Sequence, residues 1–172
     1  MATCPNCSQE SCACYCNCNA CAAPFRVSYY PYCPGNTVSE EAYASYTIAS
    51  LPNTDGSFLM PVPVSEKGNL ITLPVNGNMI TLYPGYAYYL SFNVVGYSSG
   101  FSVTPVVNGM ETSGARASTY SGSVQEISTL ASLIIPATTA TTLAFRLGTL
   151  TAEETVSPLS GTISIFPVAR LC

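Results

Sequence analysis

The stretch YAYYLSFNV, Tyr86 to Val94, alternates without interruption. Tyr86, Tyr88, Leu90, Phe92 and Val94 fall on one side, and Ala87, Tyr89, Ser91 and Asn93 on the other. A period of two with one wholly apolar side is the pattern of a β-strand lying on a core, predicted here over Tyr86–Val95. Working outward, β-branched and aromatic runs predict further strands near Tyr43–Ala49, Leu59–Val64, Ile71–Val75, Met79–Leu82, Phe101–Val107, Ile127–Ile135, Thr142–Leu147 and Gly161–Val168. Between them, Gly68-Asn69, Asn76-Gly77-Asn78, Pro84-Gly85, Ser99-Gly100 and Asn108-Gly109 supply reversal chemistry. The helix signal at Ser39–Ala44 is too short to compete and reads as a lead-in to a strand. Many short strands with no helices between them predict an all-β antiparallel sandwich or barrel.

A chain of 172 residues suits one domain. Only 8% of its residues are charged while 48% are apolar, so its polar surface rests on Ser, Thr, Asn and backbone, which desolvate cheaply against a neighbour. The net charge of −4 and the lack of any Lys/Arg run give no footprint for a phosphate backbone, and nucleic acid is not expected as a partner. Met1-Ala2-Thr3-Cys4 lacks the basic start and apolar run of a secretory signal, and no stretch reaches the ~20 apolar residues of a membrane-spanning helix. Cytoplasmic synthesis and no membrane span are therefore expected. Composition divides the chain into a Cys-rich connector (1–23), a Pro/Tyr spacer (24–36) and the β domain (37–172). Pro24, Pro31 and Pro34 bias the spacer to an extended path.

The nine cysteines, in a chain without histidine, are Cys4, Cys7, Cys12, Cys14, Cys16, Cys18, Cys21, Cys33 and Cys172. On an extended segment Cys12, Cys14, Cys16 and Cys18 share one face, about 6.6–6.8 Å apart at Cα with parallel Cβ vectors. That spacing is at the far limit for a disulfide, so these thiols are set to pair with another segment or chain. An odd total leaves one thiol over in an oxidised monomer. The competing reading is metal: Cys4-x2-Cys7 and Cys18-x2-Cys21 are two C-x2-C pairs separated by ten residues, able to close a tetrahedral thiolate site for zinc or copper(I).

Gly96-Tyr97-Ser98-Ser99-Gly100 matches the G-x-S-x-G nucleophile elbow, but that motif needs a strand-to-helix turn and a histidine base. With no histidine in the chain, a hairpin turn is the reading taken and no catalytic residue is assigned. Glu40-Glu41 and Glu153-Glu154 are sequence neighbours whose side chains diverge on an extended chain, so they solvate loops rather than flank a bond. Tyr89, opposite the apolar stripe, is either core or a subunit contact.

Pro84-Gly85-Tyr86 leading into the aromatic strand, a second strand ending at Asn108-Gly109, and then ISTLASLIIPA, TTLAFRLG and GTISIFPVARL in series resemble the jelly roll of tumour-necrosis-factor-like and complement-type globular heads. The series also resembles the bacterial version that caps collagen-like glycoproteins of the endospore exosporium. The resemblance covers about Ser39–Leu171 and implies an antiparallel jelly-roll sandwich, a homotrimer and no catalytic residues. The Gly-X-Y stalk of those relatives has no counterpart here; the Cys-rich segment stands in its place. In that fold the first and last strands lie side by side, which implies that Cys172 sits near the connector bearing Cys33. The expectation is a structural subunit without cofactor that polymerises with itself through disulfides into a fibre or surface layer on a spore. A Cys-rich metal module on a β scaffold and an adhesin or ligand-binding head are the alternatives.

Overall fold

The computed structural model describes residues 42–49, 53–75, 77–149 and 155–171. In chain order the strands are β1 (Tyr43–Ile48), β2 (Asn53–Thr54), β3 (Pro61–Lys67), β4 (Ile71–Thr72), β5 (Ile80–Leu82), β6 (Tyr86–Val107), β7 (Met110–Glu111), β8 (Ala117–Ala137), β9 (Thr141–Thr149), β10 (Thr155–Val156) and β11 (Leu159–Arg170). The only helical turn among the described residues is a 3₁₀ turn at Ser113–Ala115.

β6 is the spine. Its first half runs between β11, in register from Arg170↔Tyr86 to Leu159↔Gly96, and β8. Its second half runs between β8 and β9, from Phe101↔Thr149 to Val107↔Leu143. One strand thus serves both layers of an antiparallel sandwich, with strand order β3-β1-β11-β6-β9-β5-β4 around it. The alternation of residues 86–94 is realised as expected: Tyr88, Leu90, Phe92 and Val94 are buried, and Asn93 is exposed. They meet Ile163 and Ile165 of β11 and Phe145 and Leu147 of β9 in one core. Phe92 and Phe145 pack edge to face at 5.3 Å, a favourable aromatic geometry.

Two tyrosine hydroxyls enter this core. Tyr88 donates to the Tyr83 carbonyl at 2.8 Å, with the Leu70 carbonyl at 3.2 Å. Burial raises its pKa above the ordinary tyrosine value, Tyr86 adds to the rise, and the bond to Tyr83 offsets part of it. Tyr46 is fully buried; burial raises its pKa as well, and the neighbouring Glu66 carboxylate raises it further.

The expected turn at Ser99-Gly100 does not exist. β6 continues through it, shifting register between Ser98 and Gly100. Ser98 Oγ accepts the Gly100 N–H at 3.0 Å and donates to the Gly100 carbonyl at 3.1 Å, so the side chain closes the irregularity locally. Residues 121–124 bulge out on the facing strand, since Ser98 opposes Gln125 and Gly100 opposes Tyr120. The same region is where β6 leaves β11 for β9, and the corner is tight. A Cβ on Gly96 would lie 2.3 Å from Val156 Cγ1 and 3.1 Å from Leu159 Cδ1. The two separately expected strands over residues 86–95 and 101–107 are therefore one.

The Asn108-Gly109 reversal is present as a two-residue hairpin joining Val107 to Met110, with φ of 50° and 78°. Positive φ at both central residues is the type I′ geometry whose twist matches the flanking strands. Asn108 also accepts the Thr142 N–H through Oδ1 at 2.9 Å, pinning the hairpin to β9. Elsewhere, boundaries moved. The strand expected at Leu59–Val64 begins at Pro61 and reaches Lys67, while Leu59, fully buried, bonds through its N–H to the Phe145 carbonyl instead. The Ile71–Val75 strand stops at Thr72, short of Pro74. The strand at Ile127–Ile135 extends to Ala117–Ala137 because β6 offers it a partner along most of that length.

Candidate functional site

The side of the first layer turned away from the core is built from β11, β6 and β8, and its cross-strand rows can be read from the register. Phe166, Tyr89 and Ile134 form one row. Ser164, Ser91 and Ser132 form the next, and Thr162, Asn93 and Leu130 the third. None of these nine positions is charged. Tyr89 and Phe166 pack ring to ring at 5.1 Å with a 37° tilt. Phe166 remains 42% exposed, Ile134 61% and Leu130 73%. On the flanking strand Tyr43 is exposed, and the register continued one step past Ala44↔Ile165 sets it beside Phe166.

The Phe166–Tyr89–Ile134 row, with Tyr43 beside it, is an exposed apolar strip on paired antiparallel strands, and the serine row separates it from Leu130. An uncharged cluster of exposed apolar side chains suits an interaction surface, as apolar residues exposed singly do not. Water gains by its removal, and no buried charge has to be desolvated to cover it. Tyr89, left between two readings by the sequence, sits at its centre, half-buried under Phe166.

Phe166, Ile134 and Leu130 were not singled out from sequence, although a signal was present. Each strand breaks its alternation with an adjacent apolar pair: Tyr88-Tyr89, Ile134-Ile135 and Ile165-Phe166. On a period-two strand one member of such a pair must face away from the core. The fold sets all three breaks at one level, which makes a patch of what would otherwise be scattered exposure.

All nine cysteines, Cys4, Cys7, Cys12, Cys14, Cys16, Cys18, Cys21, Cys33 and Cys172, lie outside the described residues, as do the connector and spacer expected at 1–36. Among the described residues no group of three or more acidic or sulfur ligands comes together around a common point. Ser98 of the G-x-S-x-G match sits on a continuous strand, 1% exposed and engaged with Gly100, so the strand-to-helix elbow is absent.

No family model matches the chain, and no curated protein matches its sequence. Solved structures do. The globular domain of zebrafish complement 1qA protein superposes with a TM-score of 0.63 at 9% identity, covering 76% of this chain and 99% of that one. Eiger TNF from S. frugiperda gives 0.57 at 11% identity, covering 77% and 96%. Murine APRIL gives 0.52 at 11% identity, covering 70% and 98%. At such identities the likeness concerns the path of the backbone alone. The described residues have the jelly-roll fold of tumour-necrosis-factor-like and complement-type heads.

Proposed function

We propose that the chain is a structural subunit: a jelly-roll head that associates into trimers through the Phe166–Tyr89–Ile134 face, and whose cysteines join heads into a cross-linked fibre or layer on a bacterial spore. The observation that carries the association is the uncharged three-row patch centred on the Tyr89–Phe166 ring pair. Closed symmetric homo-oligomers are the common use of such a face, and the fold's resemblance to trimeric heads favours the threefold form. Cys12, Cys14, Cys16, Cys18 and Cys21, spaced against pairing among themselves, supply the links between chains, with Cys4, Cys7, Cys33 and Cys172 as further mates. Covalent closure then makes a reversible contact hard to undo.

The test separates the two steps. Full-length protein kept in reductant is expected to run as a trimer by size-exclusion chromatography with light scattering, and Y89S/F166S as a monomer with an unchanged far-UV spectrum. A wild-type monomer at tens of micromolar would refute the face. Without reductant, electrophoresis of native material should show a ladder that collapses on reduction; monomer in both lanes would refute the cross-link, as would zinc or copper bound stoichiometrically to the thiols.

A further inference from the structure

The second layer carries a polar cleft that the association face does not use. Along β6 the outward side chains Ser102 and Thr104 are 4% and 7% exposed, although they face away from the core. They are covered by charge: Asp55, Glu111, Arg116 and Arg146 gather over this part of the sheet. That is two of only five basic and two of only nine acidic residues in the chain. Two adjoining recesses, of about 240 and 150 Å³, open here and share Ser102, Arg116 and Gly148. Together they fall just above the lower end of small-ligand clefts, ~300–1,000 Å³.

The groups in the cleft are not equally spent. Arg146 is paired, its Nη1 donating to Glu111 Oε1 at 2.6 Å. Asp55 Oδ1 accepts the Thr149 N–H at 2.9 Å. Arg116, by contrast, donates through Nη2 to Ser102 Oγ at 2.8 Å and makes no ion pair with a described carboxylate, so most of its five N–H donors have no partner among the described residues. Thr104 is more than nine-tenths buried, lines the smaller recess, and its hydroxyl has no hydrogen-bond partner among the described residues. That hydroxyl opens onto the recess, where it is free to bond a molecule entering it. Gly148 keeps the floor clear: a Cβ there would stand 2.7 Å from Ser102 Oγ, with Arg116 Nη2 and Asp55 Oδ1 each 3.8 Å from it.

We infer that this cleft binds an acidic sugar residue, a pyranose bearing a carboxylate. The open guanidinium of Arg116 is a planar fork matched to a carboxylate. A dense polyanion such as phosphate fits worse, because Asp55 and Glu111 stand on the same cleft and repel it. A sugar acid carries one negative charge for Arg116 and ring hydroxyls that donate to Asp55 and bond with Thr104. Tyr120, 71% exposed on the wall of the larger recess, offers a ring face for the sugar to lie against. A peptide is disfavoured, since the recess around Thr104 holds no apolar pocket for a side chain.

Titration of full-length protein with glucuronate, glucose and inorganic phosphate, followed by isothermal calorimetry or ligand-observed NMR, tests this. Glucuronate is expected to bind in the millimolar range or tighter, and glucose and phosphate at least tenfold more weakly. Arg116→Gln should weaken glucuronate tenfold or more. Thr104→Val, which keeps the shape of the side chain, should weaken it several-fold. Glucuronate that fails to bind at tens of millimolar, that binds no better than glucose or phosphate, or that binds the two variants as it binds wild type, would overturn the inference. Thermal melts of both variants separate a folding defect from lost contact, and Tyr120→Ala, altering only an exposed ring, provides an independent variant expected to weaken binding.

Discussion

Gly96 decides whether the middle of β6 is a turn or a packed corner, and Gly96→Ala distinguishes them by sign. Were Gly96 a free strand or turn residue outside the left-handed region, alanine would restrict the unfolded chain and stabilise the fold by ~0.4–1 kcal/mol. The packing says otherwise. The new methyl would sit 2.3 Å from Val156 Cγ1, 3.1 Å from Leu159 Cδ1 and 3.3 Å from Phe101 Cε1, and all three neighbours are buried. No carbon pair tolerates the first distance, and overpacking of this kind costs ~1–3 kcal/mol. For a domain of this size that lowers Tm by ~3 °C per kcal/mol. Val156→Ala removes the clashing carbon and alone costs about 1.5–3 kcal/mol, as the loss of a fully buried valine. In the double variant the added methyl occupies the space vacated, so the two losses should fall short of additivity by ~1 kcal/mol or more, within the range found for residues in contact. Urea unfolding of the four proteins followed by tyrosine fluorescence gives the cycle. A stabilised Gly96→Ala, or a cycle additive within ~0.3 kcal/mol, would refute the corner.

Tyr46 and Tyr88 are held neutral in the fold with pKa values raised above the ordinary 10.0, and unfolding returns them to it. Their contribution is therefore full below about pH 10 and is lost as pH rises beyond it, so denaturation midpoints should fall steeply on the alkaline side and less steeply in Tyr88→Phe. At neutral pH Tyr88→Phe should itself cost ~0.5–1.5 kcal/mol for the hydrogen bond to Tyr83, measured by the same unfolding curves. Asn108→Gly keeps the φ of 50° but gives up the Oδ1 bond to the Thr142 N–H and should cost ~0.5–1.5 kcal/mol, whereas Asn108→Val loses the same bond and strains the backbone, and should cost at least ~1 kcal/mol more; equal effects would deny the hairpin geometry. The exposed Arg146–Glu111 pair should be worth no more than ~1 kcal/mol in a double-mutant cycle and fade in molar salt.

The strands themselves were legible because their cause is local. An alternating apolar stripe such as Tyr86–Val94 can be buried only as a strand, and Asn108-Gly109 can be little other than a tight hairpin. Ser99-Gly100 misled for the same reason: its chemistry permits a turn, and what prevents one is the pairing of Phe101 with Thr149, nearly fifty residues on. The dense cysteine segment and the poverty of charge also belong to the sequence alone. The two surfaces do not. Tyr89, Ile134 and Phe166 become neighbours through the registers of β6 with β8 and β11, and Thr104 and Arg116 share a cleft with Asp55 and Arg146 because β6 crosses from one layer to the other. A period of two fixes which way a side chain points, but which side chains it meets is set by strand pairing between distant segments, and that is a property only of the assembled sheet.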